Sequence, residues 1–260
     1  MFDKSFHDYQ QQLEAKLMKS TIRETIEQLR PKELFTKDHQ GEWQPHRHAG
    51  YTIITPNFTD EVDNVKAYVR LGDAQQQLIR NLDPSRYVLA PISAFHQTIA
   101  RLISGPAYEN QIMGRDQLLI DALSQELKQF PKYRLIKMTI RGISVLAGGF
   151  IAALLETANE DEYHRLISFR KLLYSNEVLK NLGVEPKRSF VGHVTLAYLQ
   201  APLNQENGNQ LLANVQMINQ RYFSTPIPFD ITRAEVRKFD NYLAFYRKPN
   251  WPLVQFQKYD

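Results

Sequence analysis

The chain has 260 residues, and its 32 basic and 28 acidic residues leave a formal charge of only +4. With 43% apolar residues it has enough material for a sizeable core, in one large or two small domains, which excludes a disordered chain. The mild positive charge does not by itself indicate nucleic-acid binding. The absence of cysteine excludes disulfides, thiolate metal sites and cysteine nucleophiles, and it suits a reducing cytoplasm.

The first ten residues, MFDKSFHDYQ, have no apolar core of the kind a secretory signal requires, so we expect a cytoplasmic protein. The longest uncharged run, residues 142–155, is too short to cross a bilayer and contains the pair Gly148-Gly149. It predicts two core strands joined by a turn, and no membrane partner.

The first predicted element is a helix over residues 5–30, where apolar residues recur at helical spacing until Pro31 stops the pattern. We expect it to pack on the main body. Residues 36–49 have no periodicity and several turn formers, so they predict a loop that leads into the first core strand.

Strands and helices then alternate through the rest of the chain. The predicted elements are a strand at 51–55, a helix within 61–82, strands at 86–91 and 94–102, a helix at 112–129, strands at 133–146 and 149–155, a helix at 160–182, a strand at 190–199, a helix at 206–222, and strands at 227–238 and 242–248. The last two strands form a hairpin with its turn at Asp240-Asn241.

The order of elements predicts a two-lobed α+β body with an internal pseudo-repeat. No linker rich in Gly, Ser or Pro separates the halves, which favours one domain with two lobes. We expect an N-terminal helix and loop over residues 1–49 and a bilobal domain over 50–260, with lobes at about 50–146 and 147–260.

Two segments of the chain repeat one pattern, FHQTIARL at 95–102 and GHVTLAYL at 192–199. Both read His-x-Thr-apolar-Ala on a predicted strand. Strand alternation places His96, Thr98 and Ala100 on one face, and the second copy sorts in the same way, with Arg101 and Tyr198 on the opposite faces. The small alanine beyond each threonine predicts floor space for a ligand.

Two imidazoles and two hydroxyls that converge on one point suit a phosphodiester. Its hydrolysis needs a base, an acid and hydrogen-bond donors for the non-bridging oxygens. Because an unperturbed imidazole has a pKa of about 6.5, one ring can be neutral and the other charged near neutral pH. One copy of the pattern would have little weight. Two copies with the same small fifth residue favour a functional origin.

The two motifs and the element order of residues 50–248 resemble the two-histidine (2H) phosphoesterases, which include RNA ligase/cyclic phosphodiesterase-type enzymes, and within them a branch of unassigned function. The resemblance implies a pseudo-symmetric fold with two antiparallel sheets around a central cleft and helices outside. It also implies that His96 and His193 are the catalytic acid/base pair and that Thr98 and Thr195 bind the substrate phosphate. Gln97 is polar where such motifs have an apolar residue.

Three further residues are candidate substrate contacts. If the 36–49 segment folds over the cleft, Trp43 can stack on a base and Arg47 can meet a phosphate. Arg141 lies on a predicted strand and is a candidate for the cleft wall, although a basic residue on a strand more often marks a solvated face. Arg233, Arg237 and Lys238 stand in the same position.

His46 and His48 are two apart, a spacing that can form part of a metal site. No carboxylate cluster or third histidine near them completes a ligand set, so we expect no metal and no cofactor. Motifs for a serine nucleophile elbow, a phosphate-binding loop, a dinucleotide fold and a zinc protease are absent from the sequence. His7, His39 and His164 fit surface positions.

The sequence therefore predicts a metal-independent phosphodiesterase that acts on a cyclic phosphate or a 2′-linked phosphodiester of a nucleotide or RNA end. No obligate protein partner is evident. One alternative is a non-catalytic module that binds RNA or a nucleotide phosphate. Another is a metal-dependent hydrolase in which His46 and His48 act with the motif histidines.

Overall fold

The computed structural model describes residues 3–80, 82–130 and 134–257, so residue 81 of the predicted helix within 61–82 and residue 133 of the predicted strand at 133–146 lie outside the described residues. The helices are α1 (Phe6–Leu17), α2 (Lys19–Glu27), α3 (Val65–Ile79), α4 (Pro106–Gln111), α5 (Asp116–Lys128), α6 (Glu160–Ser175), α7 (Glu177–Asn181) and α8 (Gln205–Tyr222). The strands are β1 (Phe35–Lys37), β2 (Trp43–Pro45), β3 (Gly50–Ile54), β4 (Tyr87–Leu89), β5 (Thr98–Ser104), β6 (Ile136–Leu146), β7 (Phe150–Thr157), β8 (Gly192–Leu199), β9 (Ile227–Ile231), β10 (Arg233–Asn241), β11 (Ala244–Tyr246) and β12 (Leu253–Gln255).

Two five-stranded antiparallel sheets form the body of the described chain. The first runs β11-β10-β3-β5, with β12 also paired to β10, and the second runs β4-β8-β7-β6-β9. The predicted α+β class with two antiparallel sheets is confirmed. Each sheet takes strands from both sides of residue 146, because β4 and β6 pair in the second sheet while β10, β11 and β12 pair in the first.

The strand predicted at 227–238 is two strands in different sheets. β9 pairs with β6 in the second sheet, and β10 pairs with β3 in the first. The chain changes sheets at the buried Thr232, whose carbonyl accepts hydrogen bonds from the backbone of Phe256 and the side chain of Gln255. Apolar periodicity runs through this point without a break, so the sequence pattern does not mark the crossing.

The helix predicted at 5–30 is interrupted at Met18, whose backbone is extended between α1 and α2. The hydroxyl of Ser144 on β6 donates to the carbonyl of Lys16 at 2.6 Å, which gives the end of α1 a partner in the sheet. The helices predicted at 112–129 and 160–182 are also shorter than expected. The first is α5 preceded by the separate turn of α4, and the second divides into α6 and α7 where the side chain of Asn176 caps α7.

The segment predicted as a loop at 36–49 contains a short hairpin of β1 and β2. Asp38 closes its turn, because one carboxylate oxygen accepts from the backbone of Gln40 and Glu42, and Gly41 takes the left-handed conformation with φ of 82°. The hairpin is tied to the body by Phe35, whose ring lies 5.3 Å from that of Tyr198.

The N-terminal helix packs on the second sheet. The hydroxyl of Tyr9 donates to the carbonyl of Leu155 at 3.0 Å and accepts from the backbone of Thr157, and its ring stacks on Tyr163 at 4.7 Å. Just before α1, Asp3 forms a buried ion pair with Arg170 of α6. No helix of the described residues has the length and apolarity needed to span a membrane.

The buried pair Arg170–Asp3 gives the first prediction. In Arg170→Met the carboxylate of Asp3 keeps its desolvation but loses its cation, so we expect the free energy of unfolding to fall by about 3–5 kcal/mol. Urea unfolding followed by circular dichroism measures the change. The control Lys180→Met breaks the exposed pair Lys180–Glu177 and should cost about 1 kcal/mol or less. Equal losses in both variants would contradict the expectation.

Candidate active site

Both motif histidines lie at the start of a sheet strand, in the region where the two sheets meet. His193 is the second residue of β8. His96 does not lie within a strand as predicted, because β5 begins at Thr98 and a short 3₁₀ turn at Ile92–Ala94 comes just before. The backbone around His96 is nevertheless extended and paired, since Thr55 and Gln97 exchange hydrogen bonds just beyond the end of β3.

A single chamber of about 140 Å³ brings the four motif side chains together. His96, Thr98, His193 and Thr195 all line it, as the alternation argument predicts. Its other lining residues are Lys32, Tyr51, Thr52, Ala90, Ala94, Arg101, Ala147, Phe150, Arg188, Tyr198, Phe239, Tyr242 and Phe245. The motif alanines Ala100 and Ala197 are buried and do not line it, so the prediction that they form its floor is wrong.

A β-bulge at the same place in both motifs explains this difference. In the β3–β5 ladder Ile54 faces Thr98 while Ile53 faces Ala100, which leaves Ile99 as the extra residue. In the β7–β8 ladder Ile151 faces Ala197 while Ala152 faces Thr195, which leaves Leu196 extra. A bulge shifts the alternation of side chains by one residue. The sixth motif residues therefore turn into the chamber instead of away from it.

Those sixth residues, Arg101 and Tyr198, are site residues that strand alternation alone assigns to the wrong face. The one signal in the sequence is that both copies place a large side chain with a polar end directly after the alanine. Arg188 is a third missed residue. It lies in the segment between α7 and β8, where no periodic pattern gives its direction.

Each histidine is held by the backbone two residues before it. The Nδ1 atom of His96 lies 2.7 Å from the carbonyl oxygen of Ala94, and that of His193 lies 2.8 Å from the carbonyl oxygen of Val191. A carbonyl oxygen can only accept, so Nδ1 carries the proton in both rings. In the neutral ring Nε2 is then the nitrogen with a free lone pair, and it is the atom available to a ligand in the chamber.

The surroundings of both rings disfavour a positive charge. Burial lowers the pKa of His96 to about 4, and the nearby His193 adds to the shift while the carbonyl of Ala94 opposes it. Burial likewise lowers the pKa of His193 to about 4, with the carbonyl of Val191 opposing the shift and Arg188 and Arg101 adding to it. Without a bound anion both rings are therefore neutral at pH 7.

Gln97 joins the two motif strands through its side chain. Its amide oxygen accepts from the backbone N–H of His193 at 2.5 Å, and its amide nitrogen donates to the carbonyl of Thr98 at 2.6 Å. The residue is fully buried, and its backbone N–H donates to the hydroxyl of Thr55. This explains why a polar residue occupies a position where the motif has an apolar one.

Aromatic residues form the wall of the chamber near His96. The ring of Phe245 lies 4.2 Å from the imidazole of His96. Phe239 packs beside Phe245 at 5.3 Å, and Tyr198 and Tyr242 lie 6.1 Å apart. His48 stacks on Tyr242 at 5.0 Å from the outer side. Such a wall gives a planar ring several faces to stack on.

The structure does not bring the other candidate contacts to the chamber. The indole nitrogen of Trp43 donates to the carbonyl of Ser85, and Arg47 is exposed and reaches the sulfur of Met113. Arg141 forms an ion pair with Glu156 at 3.0 Å. None of the three lines the chamber.

The remaining basic candidates are also held by carboxylates outside the chamber. Arg233 and Arg237 both pair with Glu235, and Lys238 pairs with Asp116 at 2.6 Å. These strand positions therefore contribute to the structure of the first sheet and not to the chamber wall.

His46 and His48 have different surroundings. The Nδ1 atom of His46 lies against the carbonyl of Glu33, while the ring of His48 packs between Tyr242 and Phe239. Within residues 3–80, 82–130 and 134–257, no group of three or more His, Asp or Glu side chains is placed to hold a metal ion.

Comparisons with known proteins were made for sequence and for structure. No family model and no curated protein matches the sequence. The fold is similar to that of the conserved protein of unknown function ATU0111 from Agrobacterium tumefaciens str. C58, with a TM-score of 0.60 and 14% identity over 83% of this chain and 91% of that one.

Two more distant similarities were found. They are to TT0787 of Thermus thermophilus, with a TM-score of 0.44 and 13% identity over 80% of this chain and 94% of that one, and to E. coli LigT complexed with 3′-AMP, with a TM-score of 0.42 and 10% identity over 82% and 97%. The resemblance in fold that the sequence predicts is confirmed, and identities this low carry the fold alone.

The bridge made by Gln97 gives the second prediction. Gln97→Met keeps the side-chain volume but leaves the backbone N–H of His193 buried without an acceptor. We expect the free energy of unfolding to fall by about 1–3 kcal/mol. Urea unfolding measures the loss, and Gln117→Met on the exposed face of α5 is the control, expected within about 0.5 kcal/mol of the parent protein. A Gln97→Met protein as stable as the control would argue against the bridge.

Proposed function

We propose that this protein is a metal-independent phosphodiesterase of the two-histidine class, acting on a cyclic phosphate or a 2′-linked phosphodiester of a nucleotide or RNA end. The observation that carries the proposal is the matched pair of imidazoles. His96 and His193 have the same tautomer, the same backbone anchor and the same chamber, and each has a threonine beside it. A site that only held a phosphate would need positive charge and shape, but not two rings prepared for proton transfer.

The reaction needs one proton transfer at each ring. A neutral imidazole removes a proton from a water molecule as the water oxygen attacks phosphorus. The phosphorus–oxygen bond to the leaving ribose oxygen breaks, and the second, protonated imidazole donates its proton to that oxygen. The net change is the addition of one water across one ester bond, with a phosphomonoester as the product when the substrate is a cyclic phosphate.

The substrate itself supplies the charge state that the chamber alone disfavours. A phosphodiester anion between the rings favours the protonated form of each, because an opposite charge nearby raises a histidine pKa. One ring can then take up a proton when substrate binds. Thr98 and Thr195 line the chamber beside the rings and are placed to donate hydrogen bonds to the non-bridging oxygens, whose negative charge grows in the transition state.

The aromatic wall favours a nucleotide over a small phosphoester. Phe245, Phe239 and Tyr242 line the chamber close to His96, where a base attached to the reacting sugar could stack. The alternative function is a module that binds RNA or nucleotide phosphate without turnover, and it would use the same aromatic and basic walls. Turnover separates the two.

The test is a panel of purified cyclic and 2′-linked phosphoesters, with the position of the product phosphate determined by NMR. Hydrolysis of a nucleoside 2′,3′-cyclic phosphate or a 2′,5′-linked dinucleotide in the presence of EDTA is the expected result. Binding to the panel without any product would favour the non-catalytic module. Activity abolished by EDTA and restored by added metal would favour a metal-dependent hydrolase.

The third prediction concerns the two histidines. We expect His96→Ala and His193→Ala each to lower kcat by about 10² to 10⁴-fold on a confirmed substrate, because each removes one proton transfer. The double variant should lose less than the product of the two effects, since the rings act as a unit. His164→Ala removes an exposed ring paired with Glu160 and is the control for a general effect of losing a histidine. Wild-type turnover in both single variants would end the proposal.

The threonines should contribute less individually. Thr98→Val or Thr195→Val keeps the side-chain shape but removes one hydrogen bond to phosphate, and we expect a loss of about 1–3 kcal/mol in transition-state stabilisation from kcat/KM.

The fourth prediction concerns pH. Since kcat/KM reports the free enzyme, whose histidine pKa values are lowered, its falling limb at high pH should lie below pH 6.5, where the catalytic acid loses its proton. The pH profile of kcat reports the complex, in which the bound anion raises those pKa values, so its falling limb should lie at higher pH. A kcat/KM plateau that extends to pH 8 would contradict this account.

A further inference from the structure

Arg101 and Arg188 form a positive pair beside His193 that no carboxylate of the described residues neutralises within 4.0 Å. Arg101 is half-buried, and its only hydrogen bond from the guanidinium within the described chain goes to the hydroxyl of Ser104 at 3.2 Å. Arg188 is exposed at the edge, yet partial burial and then repulsion from Arg101 lower the pKa of its guanidinium. Two guanidinium groups held close together in this way oppose each other's charge.

The other arginines near this part of the molecule are paired. Arg170 has Asp3, Arg141 has Glu156, and Arg237 has Glu235. The chain therefore supplies a carboxylate where an arginine only supports the fold. At Arg101 and Arg188 the balancing negative charge has to come from solvent ions or from a ligand.

A small recess opens beside the chamber at this pair. Its volume is about 30 Å³, and it shares Thr98, Arg101, Arg188 and His193 with the chamber. Lys187 and Ser189 also line it and add a third positive charge and a hydroxyl. A volume that holds about two water molecules suits the oxygens of one phosphate group but excludes a nucleobase.

The recess is held in place by buried contacts. The guanidinium of Arg170 donates to the carbonyl of Arg188 and to the carbonyl of Ile99, the extra residue of the bulge in β5. Asp3 in turn accepts from the backbone of Phe190 at 2.7 Å. The backbone carrying Arg188 is thus fixed against the bulge that turns Arg101 inward, so both cations are positioned before any ligand arrives.

We propose that Arg101 and Arg188 form a second phosphate subsite, next to the scissile one, and that the substrates are nucleotides or RNA ends carrying a further phosphate one sugar position from the ester that is cut. This rests on the proposed phosphodiesterase function and narrows its substrate class. The scissile phosphate lies between the histidines, and the base lies against the aromatic wall. The second phosphate, on the 5′ side of the same ribose, enters the arginine recess and forms charge-assisted hydrogen bonds there.

The experiment compares two compounds that differ in one group, a nucleoside 2′,3′-cyclic phosphate and the same compound with a 5′-phosphate. Both kcat/KM and the Kd by calorimetry are measured for the full chain and for Arg188→Gln, with Arg23→Gln on the exposed side of α2 as the control. We expect the 5′-phosphate to raise kcat/KM and tighten Kd by about 10- to 100-fold in the parent protein and in the control. In Arg188→Gln that ratio should fall toward one.

Each outcome bears on a separate statement. Equal kcat/KM and equal Kd for the two compounds would overturn the second subsite while leaving the phosphodiesterase intact. A preference that persists in Arg188→Gln would also overturn it, because the phosphate would then be bound elsewhere. If neither compound is hydrolysed, the proposed function fails. The Kd ratio then decides the subsite alone, since a preference lost in Arg188→Gln supports it and equal binding refutes it.

Discussion

The two buried hydrogen bonds of the Gln97 side chain connect the motif strand of one sheet to the motif strand of the other. Within the described chain no strand ladder joins β5 to β8, so the distance between the sheets at this point depends on side chains. A single amide that accepts from His193 and donates beside Thr98 sets how far apart the two imidazoles lie. Because an unpaired backbone N–H in a buried site is costly, the amide also resists any opening of the sheets at the floor of the chamber.

The same burial that fixes the rings also sets their chemistry. Both imidazoles donate Nδ1–H to a backbone carbonyl and both lose solvent on their other faces, so the neutral form is favoured in each. A chamber with two neutral rings and the arginine pair of the recess is not electrically balanced until an anion enters. Anion binding and histidine protonation are therefore coupled, since each makes the other more favourable.

The sequence was sufficient for the parts of the site that depend on local pattern. The His-x-Thr pairs, their shared chamber and the alternation of elements follow from periodicity and from the repeat of five positions. The parts that depend on pairing between distant strands did not follow. The bulges at Ile99 and Leu196 exist only relative to their neighbours in β3 and β7, and they decide the direction of Arg101 and Tyr198. The change of sheet at Thr232 has the same origin. Arg188 belongs to a connection whose path is set by the buried contacts of Arg170.

The equivalent bulges show how a repeated scaffold gives an unequal site. The same extra residue in each motif turns the sixth side chain inward, but that side chain is Arg101 in one copy and Tyr198 in the other. One strand thus adds positive charge near the recess, while the other adds an aromatic ring next to Tyr242. The backbone repeat supplies two similar proton-transfer groups, and the difference at one position gives the chamber a direction. A nucleotide with phosphate at one end and base at the other has the same polarity, so it fits in one orientation only.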